Sequence, residues 1–284
     1  MMTIERALLA ALMLSACTQQ TAPAQAQPQP LDGSLFAAQP DRQWRLPPQL
    51  REISGLALSP DGRLFGHDDE RAVIYEIDAA EGRLVKTFAL GNPAERGDFE
   101  GLAITPAGEF WMTTSQGLLY RFREGADGAQ AAFERFDTGL RQVCEIEGLA
   151  YLAAEESLIL ACKRHEARDM RDAISLYAWR PGGARAEPWR QLSEAAISNA
   201  AGVGRFRPSS LEIDTRSGRL LLLSARDGAL AELAANGEIL SARALGARHV
   251  QAEGVAILAD GSLALTDEGG DGRALLSVYT RTTP

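Results

Sequence analysis

A chain of 284 residues with 45% hydrophobic content can bury a sizeable core in one or two domains. Its formal charge of −9 argues against nucleic acid as a partner and suits cations, or substrates that arrive with one. No apolar run reaches the ~18 residues expected of a membrane-spanning helix.

The N-terminal stretch reads as a targeting segment. Arg6 closes a short charged region, and ALLAALMLSA (7–16) supplies an apolar core of signal-peptide length. It ends on Leu14-Ser15-Ala16-Cys17, which is similar to a bacterial lipobox and would make Cys17 the lipidated first residue of the mature chain. Thr18, with no aspartate at that position, resembles lipoproteins sorted to the outer membrane. The following TQQTAPAQAQPQP has too little apolar content to fold and reads as a tether, roughly 20 Å as a coil and about 50 Å extended. The expected organisation is therefore a signal peptide (1–16), a lipidated cysteine with its tether (17–40) and one domain (41–284). The mature chain is expected on the bacterial cell envelope, lipid-anchored and facing the periplasm, with no other membrane contact.

From residue 50 onward the chain repeats. The copies are ISGLALSPDGRLF (53–65), FEGLAITPAGEFW (99–111), IEGLAYLAAEESLIL (146–160), PSSLEIDTRSGRLLLL (208–223) and AEGVAILADGSLAL (252–265). Each is a strand, a short turn and a second strand, and further alternating stretches complete the unit. The equivalent residues Ser54, Glu100, Glu147, Ser209 and Glu253 are spaced 46, 47, 62 and 44 apart. A period near 45 with four strands per unit is the signature of propeller blades. The longer third interval accommodates RHEARDMRDA and SEAAISNAAGVGRFR as loop insertions with a helical turn. The expected fold is all-β, a five-bladed β-propeller. The last unit has only three strands, so DRQWRLP (41–47) is expected to supply its fourth and close the ring without an open edge.

In a propeller the first strand of every blade lines the central channel, so Ser54, Glu100, Glu147, Ser209 and Glu253 are expected to form a ring at one mouth. Three carboxylates converging on a narrow axis repel one another and lose hydration. A bound cation relieves both costs, and carboxylate and hydroxyl oxygens without His or Cys select a hard ion, calcium rather than magnesium. The plainer alternative is that each glutamate caps backbone N–H groups at the rim.

The loops after the second strands are expected around that ring. They carry Asp68 and Asp69, Lys163 and Arg164, Arg226, and Asp267 and Glu268. Lys163, Arg164 and Arg226 suit an anionic ligand, while an aspartate near a metal can position or deprotonate a water. Of the remaining cysteines, Cys144 and Cys162 flank one hairpin but are about three residues out of register. That offset strains a bridge unless the strands curl, so their pairing stays open.

The EGLA openings, the lipobox and the span from about 45 to 281 resemble the SdiA-regulated (YjiK-like) family of β-propeller proteins. The resemblance implies an envelope-associated propeller whose biochemical role is open. The Ser–Glu–Glu–Ser–Glu order is also similar to calcium-activated nucleotidases (apyrases), and implies calcium held by Ser54, Glu100, Glu147, Ser209 and Glu253. HDDERAVIY (67–75) is similar to the segment that carries the nucleotidases' catalytic aspartate, which implies that role for Asp68 or Asp69. The FEGLA and GVAILADGSL style is shared with the phytase-like propellers. Three functions follow: a calcium-binding envelope propeller with an anionic ligand or an envelope protein as partner, a calcium-dependent phosphohydrolase, or a metal-free scaffold. A monomer is expected.

Overall fold

The computed structural model describes residues 39–280, so the signal segment, Cys17 and the tether up to residue 38 lie outside the described residues. Five four-stranded blades form a β-propeller. An N-terminal strand, β1 (Arg42–Arg45), precedes the first blade: β2 (Ile53–Leu58), β3 (Leu64–Asp68), β4 (Val73–Asp78) and β5 (Arg83–Leu90). The second blade holds β6 (Phe99–Ile104), β7 (Glu109–Thr114), β8 (Leu118–Arg123), a two-residue β9 (Gln130–Ala131) and β10 (Phe133–Asp137). Strand β9 leaves that blade to pair in parallel with β5 of the first. The third blade consists of β11 (Cys144–Leu152), β12 (Ser157–His165), β13 (Ala173–Trp179) and β14 (Glu187–Ser193), followed by the helix α1 (Glu194–Ala201). The fourth is β15 (Ser210–Ile213), β16 (Leu220–Ser224), β17 (Ala229–Leu233) and β18 (Ile239–Ala244). The fifth is β19 (Ala252–Ile257), β20 (Leu263–Asp267) and β21 (Leu275–Tyr279). Strand β1 completes it from the outside, Arg42 opposite Val278 and Arg45 opposite Leu275, so the seam closes as the sequence requires.

The core follows from period-two alternation on strands buried on both faces. Leu102 packs with Ala57 and Phe65 of the first blade, whereas its neighbour Ala103 packs with Leu149 and Trp179 of the third. Five such apolar layers lie one between each pair of neighbouring blades, the last joining Leu276 and Ala256 to Leu56 and Leu64. Edge-on aromatic pairs fill the wide outer part of the wedge, such as Phe65–Phe110 at 5.0 Å between centroids.

Near the axis the wedge has no room. A Cβ on Gly101 would lie 2.7 Å from the Leu149 amide nitrogen, and one on Gly148 would lie 2.8 Å from that of Leu211. One on Gly254 would lie 2.7 Å from the Ser54 carbonyl oxygen. The glycine of the repeated EGLA is thus the point where neighbouring inner strands meet backbone to backbone.

Cys144 and Cys162 are bridged, with Cα atoms 5.8 Å apart. The ladder does place Cys144 opposite His165, three residues from Cys162. A register shift between Glu145 and Ile146, which skips Lys163, places Cys162 opposite Ile146, two residues from Cys144, and a second shift at Glu147 bends the same strand pair. The bulges supply the curl that strand counting cannot supply. In the same blade the insertion after β14 folds as α1, where Ser193 accepts the Ala196 N–H and Gly202 closes the helix in the left-handed region.

Gly148→Ala should lower stability by about 2 kcal/mol or more, because its Cβ meets backbone that cannot turn aside. Gly204→Ala, where a Cβ meets nothing within 4 Å, should be neutral. Thermal melts of the two variants check this, and equal midpoints would refute the close-approach account.

Candidate functional site

Each glutamate of the ring is the extra residue of a β-bulge. Phe99 lies opposite Thr114 and Gly101 opposite Thr113, so Glu100 is left without a partner. Glu253 is bypassed between Ala252 and Gly254, and Glu147 between Ile146 and Gly148. In the first blade the skip covers Ser54 and Gly55. A bulged residue leaves the ladder and its side chain is re-aimed. Here it brings the carboxyls of Glu100, Glu147 and Glu253 into one electrostatic cluster from three different blades.

That cluster also contains a cation. Lys163 is itself bypassed on β12, between Cys162 and Arg164, directly across from the Glu147 bulge. Its ammonium donates to Glu147 Oε1 at 2.7 Å. Strand β12 runs to His165, so Lys163 and Arg164 stand on a strand rather than in the loop expected from the sequence. Arg164 points away to Glu145 at 2.8 Å and is largely exposed. Arg226 is exposed and has no ion-pair partner among the described residues. Ser209 is committed to the backbone: its Oγ accepts the Ala225 N–H at 3.0 Å and lies 3.4 Å from the carbonyls of Leu223 and Ala252.

The aspartates divide sharply. Asp68 is buried and occupied, accepting from the Arg71 N–H at 2.9 Å, the Arg71 guanidinium at 3.2 Å and the Tyr75 hydroxyl at 3.3 Å. Asp69 Oδ1 is buried without any hydrogen-bond partner. Its carboxylate oxygens lie with those of Glu52 and Glu268 within 4.8 Å of one another. Gln251 Nε2 donates to Glu268. Asp267 belongs to a different arrangement, where His249 Nδ1 lies 2.7 Å from Asp267 Oδ2 and His249 Nε2 lies 2.6 Å from the Tyr279 hydroxyl, all buried. His67 is neutral: Nε2 accepts the Gly55 N–H at 3.1 Å, Nδ1 donates to the Asp68 carbonyl, and burial holds its pKa down at about 4.

Glu52 and His249 escaped the sequence reading. Glu52 was legible through alternation, since Glu52, Asp98 and Glu145 each stand two residues before a ring position and form a second acidic tier. Nothing local marks His249.

Concentrated acid in a desolvated mouth shifts several of these carboxyls. Burial, then Glu147 and Asp98, push Glu100 up to about 10 against the pull of Lys163. Burial raises Glu147 to about 7, with Lys163 restraining it, and raises Glu253 in the same direction. Glu268 rises to about 8 through burial and the neighbouring Glu52 carboxyl, while Glu52 is lowered by Glu268 and by Arg51. Asp69 is raised to about 6 by burial and by Asp68 and Glu52.

The family model described as SdiA-regulated matches residues 39–270. No curated relative matches the sequence. Among solved structures, Myxococcus xanthus glutaminyl cyclase superposes with a TM-score of 0.58 at 15% identity, covering 86% of this chain and 97% of its own. The PQQ-bound aldose sugar dehydrogenase of Streptomyces coelicolor gives 0.52 at 16% identity, covering 85% and 99%. A luciferin-regenerating enzyme gives 0.51 at 9%, covering 81% and 92%. These likenesses extend to the fold alone.

Carboxyls with raised pKa values hold protons in the folded chain that the unfolded chain releases near 4.5. Their contribution is full below that value and is lost as pH climbs, through about 7 for Glu147 and on to about 10 for Glu100. In EDTA the melting temperature should therefore fall across this window, and Glu100→Gln should flatten the fall. A wild-type profile that rises or stays level would contradict the clustered geometry.

Proposed function

Since the chain belongs to the SdiA-regulated family, whose β-propeller it adopts, we propose that it is a calcium-binding propeller of the bacterial envelope. In this reading it is anchored through Cys17 and takes an anionic ligand or an envelope partner at its acidic channel mouth. The observation that carries the reading is the buried, unpartnered Asp69 Oδ1 beside Glu52 and Glu268. Three carboxylates converging there offer oxygen donors only, because His67 and His249 are both committed elsewhere. That donor set suits a hard divalent ion.

The fit revises the expected ligand set. Asp69 and Glu268 are the proposed principal holders, Glu253 acts on both, and Glu52 joins them while its other oxygen contact is the exposed Arg51 guanidinium at 2.6 Å. Glu147 and Ser209 fit poorly, since Lys163 occupies the one and backbone groups occupy the other. Bound calcium would supply positive charge to desolvated carboxylates and a coordination position for an anionic ligand. The chain's own residues supply the rest: Lys163 neutralises Glu147, Gln251 orients Glu268, and exposed Arg226 offers a rim charge to an approaching anion.

A calcium-dependent phosphohydrolase is the second reading. Its support is Asp69, whose carboxyl is raised to about 6, close to the range in which a general base works. Asp68, fixed by Arg71 and Tyr75, suits that role less.

Thermal melting of the mature chain, with Cys17→Ser, separates these readings. Calcium at about 100 times its dissociation constant should add ~2.7 kcal/mol and raise the midpoint by roughly 5–10 °C. The rise should vanish in Glu268→Gln, persist in Ser209→Ala, and occur at lower calcium in Lys163→Gln, which removes the competing ammonium. Asp69→Asn should lose the calcium response if Asp69 is a ligand; loss of phosphate-ester turnover with the response intact would favour the hydrolase. No calcium-specific rise at all would leave a metal-free scaffold.

A further inference from the structure

The far end of the channel is chemically unlike the ring mouth. Where the inner strands end and their hairpins turn, a cavity of about 530 Å³ opens. Its wall near the axis is built from the alanines of the repeat, Ala57, Ala103 and Ala150, with Leu102, Ile213 and Leu258 around them. Small residues at this position leave the cavity empty of side chains. The fourth repeat departs from the pattern: PSSLEI has Glu212 where the other copies have alanine.

Glu212 lines the cavity and has no hydrogen-bond or ion-pair partner among the described residues. The charged groups around it do not help. Asp214, the nearest, repels it and is itself engaged with Arg216 and Ser217, while Asp61 at the rim is bound to Ser59 and Arg63. Burial, then Asp214, push the Glu212 carboxyl up to about 8. Glu212 is half-buried, and a carboxyl on an apolar wall with only other, engaged carboxylates beside it carries a desolvation cost.

We propose that this cavity is a binding site for a small organic amine, with Glu212 pairing the ammonium and the alanine and leucine walls enclosing the apolar body. The volume lies in the range of small-molecule sites; Glu212 stands on the apolar wall, while Ser59, Asp61, Asp214, Thr215 and Arg216 also line the cavity and are engaged with one another or with solvent. Pairing draws the proton off Glu212 and leaves a carboxylate–ammonium contact shielded from water. The site is independent of calcium at the other mouth, because it stands at the opposite ends of the same five strands.

Two matched probes test it: 2-phenylethylamine and its neutral analogue 2-phenylethanol, titrated by NMR into the mature chain near neutral pH. The amine should bind at least about tenfold (~1.4 kcal/mol) tighter than the alcohol. Glu212→Gln should abolish that preference while leaving alcohol binding and the calcium response unchanged. Glu212→Ala, which restores the residue of the other repeats, should melt higher than wild type and also lose the preference. Equal binding of both probes would mean that Glu212 acts as a protonated donor and would overturn the amine assignment. A preference surviving in both variants, or no binding of the amine at millimolar concentration, would overturn it as well.

Discussion

Everything in this molecule depends on how closely five inner strands can approach a common axis. Neighbouring strands meet backbone to backbone at Gly55, Gly101, Gly148 and Gly254, where a single methylene would collide with the next strand's amide or carbonyl. That contact sets the diameter of the channel. Diameter in turn fixes how far the blades splay, and so how much aromatic volume their outer strands need. Phe65, Phe88, Phe110 and Phe122 between the first two blades, and Trp111, Trp179 and Phe136 between the next two, fill that widening gap. The fourth copy has Ser210 in place of the glycine.

A narrow axis also makes chemistry of what would otherwise be surface residues. The bulge that precedes each glycine turns one side chain out of the ladder, and three of these are glutamates. On an open sheet edge they would be hydrated and ordinary. Drawn together and desolvated, they become acids with raised pKa values, and their repulsion is answered within the chain by a single ammonium, that of Lys163. Lys163 on Glu147 and Arg51 on Glu52 still leave Glu100, Glu253, Glu268 and Asp69 without a cationic partner among the described residues. This imbalance, rather than any one residue, makes the potential of the mouth negative.

The two ends of the channel divide the labour of charge and shape. One end is polar and crowded, stitched across blades by backbone bonds such as Phe99 N–H to the Asp69 carbonyl and Ile146 N–H to the Ser115 carbonyl. The other is roomy, because the repeat places alanines rather than longer side chains there. The fourth blade inverts the rule at both ends. It offers Ser209 where its neighbours offer glutamate, and Glu212 where they offer alanine. One carboxylate is in effect moved along the strand, from the crowded mouth to the open one.

The sequence alone determined the number of blades and the strand that closes the ring, because a repeat with period-two alternation leaves one way to bury every strand on both faces. Even the second acidic tier at Glu52, Asp98 and Glu145 was readable, since it follows from the same alternation. Tertiary structure decided which of those groups remain available. Asp68 and Asp69 are adjacent and alike in sequence, yet one is fixed by Arg71 and Tyr75 while the other keeps an oxygen without a partner. The bridge between Cys144 and Cys162, and the entry of Lys163 into the acid ring, both hang on paired bulges in one hairpin. A bulge shifts register by a residue at a cost too small for any pattern of residue types to announce, and it redirects a side chain across the channel. That is why the fold was written in the repeat and the chemistry of its mouth was not.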